Sequence, residues 1–259
     1  MTRLILGLLA ILAATPTGVA QERAAGADLR VPVLAELFTA EGCSSCPPAD
    51  RLLAMVLKEQ PVDGVYVVAM SEHVTYWDNL GWKDPFGSSQ FTARQNKYGH
   101  RFSLESVFTP QLVVDGRAHM VGSDVAKVKS ALAEAGRVPK PRLTVEASLD
   151  DQGALAASAS GPGLAAGASE GAELLWAVTE DDLVVDVKRG ENARRTLHHS
   201  GVVRAMLARK IDSGKATETT VIGLKSGWKP EHLRIVAFVQ STKSGHVLSV
   251  GWSKLPAPH

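Results

Sequence analysis

Aromatics make up only 5% of this chain of 259 residues, there are only two cysteines, and the net charge is just +1. Two cysteines cannot staple a disulfide-built fold or complete a four-cysteine zinc site. With 28 Lys and Arg against 27 Asp and Glu, no overall field draws the chain to nucleic acid or anionic lipid, so neither is expected as a partner. Beyond the N-terminus no apolar stretch approaches the ~20 residues of a membrane span, so stable membrane insertion is not expected. What is present, 45% hydrophobic and 21% charged residues, is a globular composition that excludes disordered, collagen-like and coiled-coil chains. The length suits one large domain or two of roughly 100–150 residues.

The first residues, MTRLILGLLAILAATPTGVAQ, read as a cleaved signal peptide over 1–20. Arg3 supplies the positive start, Leu4 to Ala14 the apolar run, and Gly18-Val19-Ala20 the small-residue cleavage site. Cleavage removes one base and no acid, leaving both signs equal at 27. The expected protein is soluble and secreted or periplasmic, in a compartment where disulfides persist.

Residues 31–38 (VPVLAELF) and 64–70 (GVYVVAM) read as buried strands, and ADRLLAMVLKE after Pro47-Pro48 as a helix. A helix from Ser89 to about Arg101, a hairpin over 111–122 turning at Asp115-Gly116, and a last helix capped by Ser123 and ended by Gly136 follow. After a linker at Val138-Pro139-Lys140-Pro141, short alternating segments separated by Gly, Asp and Ser clusters, including a Gly-rich loop at 161–171, predict six to eight strands and no strong helix. The expected domains are therefore 30–138, with an aromatic-rich insertion at 71–108, and an all-β, sandwich-like 139–259.

Chemistry concentrates at Cys43-Ser44-Ser45-Cys46, between a buried strand and a helix start. Unpaired N–H groups and the positive end of the helix dipole favour a thiolate at Cys43, and Cys46, three residues on, is close enough to resolve a mixed disulfide. A static disulfide closing so short a loop would remove little unfolded-state entropy. Zinc lacks a second ligand pair with metal spacing, although His73, His100 or His119 could help, and no metal site is assigned. Cu(I) held by the same thiols with Met70 or Met120, as in a metal-delivery module, stays open. So does a non-catalytic secreted interaction protein.

The order of elements with CSSC after the first strand looks like the thioredoxin fold: an α/β thioredoxin-like domain, its central mixed sheet flanked by helices, ahead of the all-β sandwich-like region. That resemblance implies a cis proline before the hairpin, which Phe108-Thr109-Pro110-Gln111 supplies, and a groove lined by Thr109 and Pro110 that pairs with a substrate segment. More narrowly, ELFTAEGCSSCPPAD, SEHVTYWDNLGWKDPF, FTARQNKYG and VFTPQLVVDG resemble a family of secreted thioredoxin-like proteins catalogued as domain of unknown function 1223. The likeness is dense from Glu36 to Gly116 and continues weakly into RGENARRTLHHSGVVR at 189–204. Ser71-Glu72-His73 and Thr75 depart from the family pattern.

The expected activity is thiol–disulfide exchange at Cys43–Cys46, oxidoreductase in kind and undefined in direction. It needs no cofactor beyond the redox-active disulfide, and its partner is a protein thiol or disulfide. Glu36, an acid within an apolar strand, is the leading proton carrier, since burial raises a carboxyl pKa, and Glu41 and His73 are the alternatives. The insertion holds eight of the 14 aromatics. Of these Trp77 and Trp82, with His73, are expected to wall the substrate site, although rings also simply pack such a subdomain. Adjacent His198 and His199 in a strand would point to opposite faces. The sequence leaves oligomeric state open.

Overall fold

The computed structural model describes residues 29–150, 152–211 and 215–255, so the leader read at 1–20 lies outside the described residues. In the first half, β1 (Val31–Thr39), α1 (Pro47–Glu59), β2 (Val65–His73), α2 (Ser89–Arg101), β3 (Gln111–Val114), β4 (Ala118–Val121) and α3 (Val125–Gly136) follow one another. β1 is buried along nearly its whole length, as expected of an apolar run covered on both faces, and pairs parallel with β2 and antiparallel with β3. Prolines fill the first two positions of α1, where a missing N–H costs nothing. Its buried stripe of Ala49, Leu52, Leu53 and Val56 packs with Leu132 and Val128 of α3 on Ala35, Leu37 and Val67.

The second half comprises β5 (Thr144–Leu149), β6 (Leu155–Ser160), α4 (Pro162–Glu170), β7 (Ala172–Glu180), β8 (Leu183–Asp186), β9 (Thr196–His199), β10 (Val202–Lys210), β11 (Thr217–Ile222), β12 (Leu233–Ser241) and β13 (Val247–Lys254). Its longest strands extend the first half's sheet. The order is β13-β12-β7-β10-β2-β1-β3-β4, with β10 joined parallel to β2 where Val202 faces Ser71 and Ser71 N–H donates to Gly201 at 2.8 Å. Leu34, Val68 and Met70 then share one apolar cluster with Leu175, Phe238, Val247 and Val250. The result is a mixed α/β fold with one large mixed sheet and two further antiparallel sheets, β11-β6-β5 and β8-β9. Leu155 and Ala159 of the three-stranded sheet pack on Trp176, Ile235 and Val239 of the large one.

The Gly-rich loop expected at 161–171, in a region with no strong helix, needs correction: residues Pro162–Glu170 form the short helix α4. Pro162 opens it and left-handed Gly171 ends it. The glycines permit close packing: a Cβ at Gly163 would lie 2.3 Å from Ser249 Oγ, and one at Gly167 2.4 Å from Val239 Cγ1. No helix among the described residues is long and apolar enough to cross a membrane.

Candidate functional site

β1 delivers the chain to the Cys43-Ser44-Ser45-Cys46 turn, and Cys46 caps α1. Cys43 and Cys46 form a disulfide with their Cα atoms 5.4 Å apart, and neither residue has exposed surface. The turn is closed by Cys43 N–H to Ala40 O at 3.1 Å and Cys46 N–H to Cys43 O at 3.2 Å. Ser45 Oγ lies 3.4 Å from Cys43 Sγ. Around the pair pack Phe38, Ala40, Val74, Tyr98 and Val113, with Trp77 and Phe102 at the margin. Met70 and Met120 belong to two other apolar clusters.

The Thr109–Pro110 bond is cis, as expected from the sequence. Two contacts seat this loop beside the cysteine turn. Trp77 Nε1 donates to Thr109 Oγ1 at 2.8 Å, while the Trp77 backbone and Cβ press on Gly42, where an added Cβ would sit 3.1 Å from Trp77 Cβ. Gly122 donates its N–H to Pro110 O at 2.9 Å and lies so close to Leu37 and Ala49 that a Cβ would fall 2.6 and 3.3 Å from them. Cys43, Cys46, Thr109, Pro110 and Trp77 are thus brought together. Trp82 stands on another side, its Nε1 donating to Glu41 Oε2 at 2.6 Å.

His73 is fully buried and belongs to a polar cluster on the α1 side of the sheet. Its Nδ1 lies 2.7 Å from Asp84 Oδ2, which also accepts the Glu41 N–H at 2.8 Å. Burial alone works against the imidazolium, but the Asp84 carboxylate, backed by Asp50 and Glu41, holds the His73 pKa above its ordinary value. For Asp84 burial works upward, yet His73 and the N–H groups of Glu41 and Phe86 bring its carboxyl below the usual range. Asp50, one helical turn beyond Cys46, accepts from Thr39 Oγ1 at 2.8 Å, and burial pushes its carboxyl up despite the nearby His199 and His73. His199 is buried and His198 exposed, on opposite faces as the alternation requires. The His199 ring meets His73 edge-on at 4.9 Å, and its Nε2 lies 3.3 Å from Glu41 Oε1 without the alignment of a hydrogen bond.

Glu36 is fully buried on the opposite face, where α2 packs. Arg94 Nε donates to its Oε1 at 2.7 Å and Tyr98 OH to its Oε2 at 2.6 Å. Arg94 also reaches Gln240 at 3.0 Å and lies 3.5 Å from Glu72, whose carboxyl burial pushes well above the usual range. The carboxylate expected to carry protons is therefore held in an ion cluster that joins both halves of the chain, and Tyr98 stands between it and the cysteine cluster.

Sequence reasoning did not single out Asp50, Asp84, Glu191, Asn192 or the buried role of His199. Asp50 carried a signal, an acid on the apolar stripe of α1 three residues before Leu53. Asn192 and Glu191 carried only the weak family likeness of 189–204, with nothing local to tie them to a motif about 150 residues away. Asn192 is buried, and its Nδ2 donates to Glu41 O at 2.7 Å and Cys43 O at 2.9 Å. Glu191 Oε2 accepts the Ser44 N–H at 3.1 Å. Among the described residues no group of three or more His, Cys, Asp and Glu side chains could hold a metal ion.

Fold and site together define a mixed α/β protein with a buried Cys-Ser-Ser-Cys disulfide at a strand–helix junction, flanked by a cis proline. The family described as "Protein of unknown function (DUF1223)" matches residues 34–240, and the chain belongs to it. No significant match exists among curated proteins. Among solved structures, protein AGR_C_4864 from Agrobacterium tumefaciens is similar at 24% identity and a TM-score of 0.66, over 89% of this chain and 98% of that one. HBP35 of Porphyromonas gingivalis is similar at 15% identity and a TM-score of 0.56, over 88% of this chain and 76% of that one. At these identities the likeness bears on fold alone.

Proposed function

We propose that the protein is an exported thiol–disulfide exchange protein working through Cys43 and Cys46. In this reading residues 30–138 are a thioredoxin-like unit and 139–259 a β-sandwich-like region, and the partners are protein thiols and disulfides in an oxidising compartment. The single observation that carries it is the Cys43–Cys46 disulfide at the start of α1 beside the cis Thr109–Pro110 bond.

When the pair acts as oxidant, a substrate thiolate attacks one sulfur of the disulfide and the other leaves as a thiolate, giving a mixed disulfide. A second substrate thiolate then attacks that bond. The substrate leaves as a disulfide, and two electrons remain on the protein as two thiols. In the other direction Cys43 attacks the substrate and Cys46 resolves the intermediate. The backbone beside Pro110 and the Thr109 side chain hold the substrate segment. Cys46 needs a group to take and return its proton, and Asp50, one turn further along α1 with a raised pKa, is better placed for this than the Arg94-bound Glu36.

The test is catalysed reduction of insulin by dithiothreitol. Wild type is expected to accelerate it and Cys43→Ser to abolish the acceleration. A wild type that adds nothing to the uncatalysed rate would remove this reading.

A further inference from the structure

Cys43 and Cys46 have no exposed surface, although a disulfide that exchanges with other proteins must be reached along the S–S axis. The backbone of the cysteine turn is also held from the second half of the chain, by the connection between β8 and β9. Here the backbone folds into a compact projection tied at its base by Val187 N–H to Arg195 O and Arg194 N–H to Val187 O, both at 2.9 Å. Gly190 and Arg194 adopt positive φ of 76° and 69° to make the turn. Gly190 packs so closely on the insertion that an added Cβ would stand 3.3 Å from Trp82 Cβ.

From this projection two side chains reach the cysteine turn. The Asn192 amide bridges the carbonyls of Glu41 and Cys43, and its Oδ1 is held by Arg195 Nη1 at 3.0 Å. Glu191 accepts the N–H of Ser44, a donor at the same strand–helix junction whose positive end favours a Cys43 thiolate. Asn192 thus locks the turn, and Glu191 sets a negative charge where thiolate formation needs the opposite. Three hydrogen bonds hold the segment to the turn, two from buried Asn192 and one from exposed Glu191, so release costs far less than unfolding.

We propose that residues 188–195 form a latch over the Cys43–Cys46 pair, and that exchange at the pair requires its release. This rests on the exchange reading above and adds its regulation: a partner must displace Glu191 and Asn192 before its sulfur meets Cys43.

The test is the rate at which dithiothreitol opens the disulfide, read by trapping the freed thiols and weighing the protein. The reductant's thiolate attacks one sulfur and its second thiol closes the ring. Two electrons pass to the protein, leaving two thiols and one cyclic disulfide. Glu191→Ala/Asn192→Ala, which removes three hydrogen bonds to the turn, is expected to open at least about tenfold faster than wild type. Glu191→Ala alone, at an exposed position, is expected to accelerate opening by a smaller factor with the thermal midpoint unchanged. Gly167→Ala, which strains α4 far from the latch, is expected to leave the rate at the wild-type value. Equal rates in wild type and double variant would overturn the latch, as would equal acceleration by Gly167→Ala, which would assign access to general loosening. A double variant that opens faster yet never reduces insulin keeps the latch and removes the exchange reading.

Discussion

The carboxylates of the site differ in what surrounds them, and so in what their loss does. Glu36 is bound by Arg94, itself only 12% exposed, so Glu36→Gln leaves a buried cation short of its partner. Breaking such a pair costs about 3–5 kcal/mol, and the adjacent Glu72 carboxyl, 3.5 Å from Arg94, reduces that loss by ionising in its place. Denaturant unfolding of Glu36→Gln against wild type checks this. For Asp50 the sign is reversed. Its folded pKa lies above the unfolded 3.8, so the native state binds more protons and loses stability as pH rises from about 4 through the folded value. Asp50→Asn removes that penalty. Its thermal midpoint is expected to exceed that of wild type at pH 8 and to converge with it near pH 4. His73 behaves as a raised base: its contribution is complete below the unfolded 6.5 and is lost as pH climbs through the folded pKa. Asp84→Asn is expected to flatten the wild-type decline above pH 6.5 in a series of thermal scans.

Elements with a strong period were legible in the sequence, and those set by close approach were not. The apolar runs of β1 and β2, the Pro-Pro start of α1 and the Asp-Gly turn between β3 and β4 all have local causes, and the strand–CSSC–helix junction follows from them. Helix α4 has no such cause. Its two glycines carry weak helix propensity and break the pattern its alanines would favour, and it forms because a bare surface packs on β12 and β13. Gly167→Ala therefore lowers stability by about 1–3 kcal/mol, the usual cost of overpacking, rather than raising it as it would in an exposed helix. Calorimetry of that variant checks the sign. The same limit hid Asn192, whose partners are two carbonyls that no pattern links to residue 192.

For the whole molecule, the sheet that runs from β13 to β4 makes the two halves interdependent. Residues 30–138 alone would expose the β2 edge that β10 covers, and would uncover Leu34, Val68 and Met70. An intact chain is expected to unfold in one calorimetric transition, and the 30–138 fragment to aggregate or unfold at a much lower midpoint. The fold also explains how a chain with a net charge of only +1 and two cysteines keeps its chemistry local: both halves supply residues to the polar cluster at the disulfide, His199 and Asn192 from the second and Glu41, Asp50, His73 and Asp84 from the first. The most direct test of exchange is the reduction potential of the Cys43–Cys46 pair, obtained by equilibrating the protein in thiol–disulfide buffers and counting free thiols. A reversible two-electron titration above about −300 mV is the expected result. A pair that stays oxidised below that potential would be a structural bond, and thiol–disulfide exchange would not be the function of this protein.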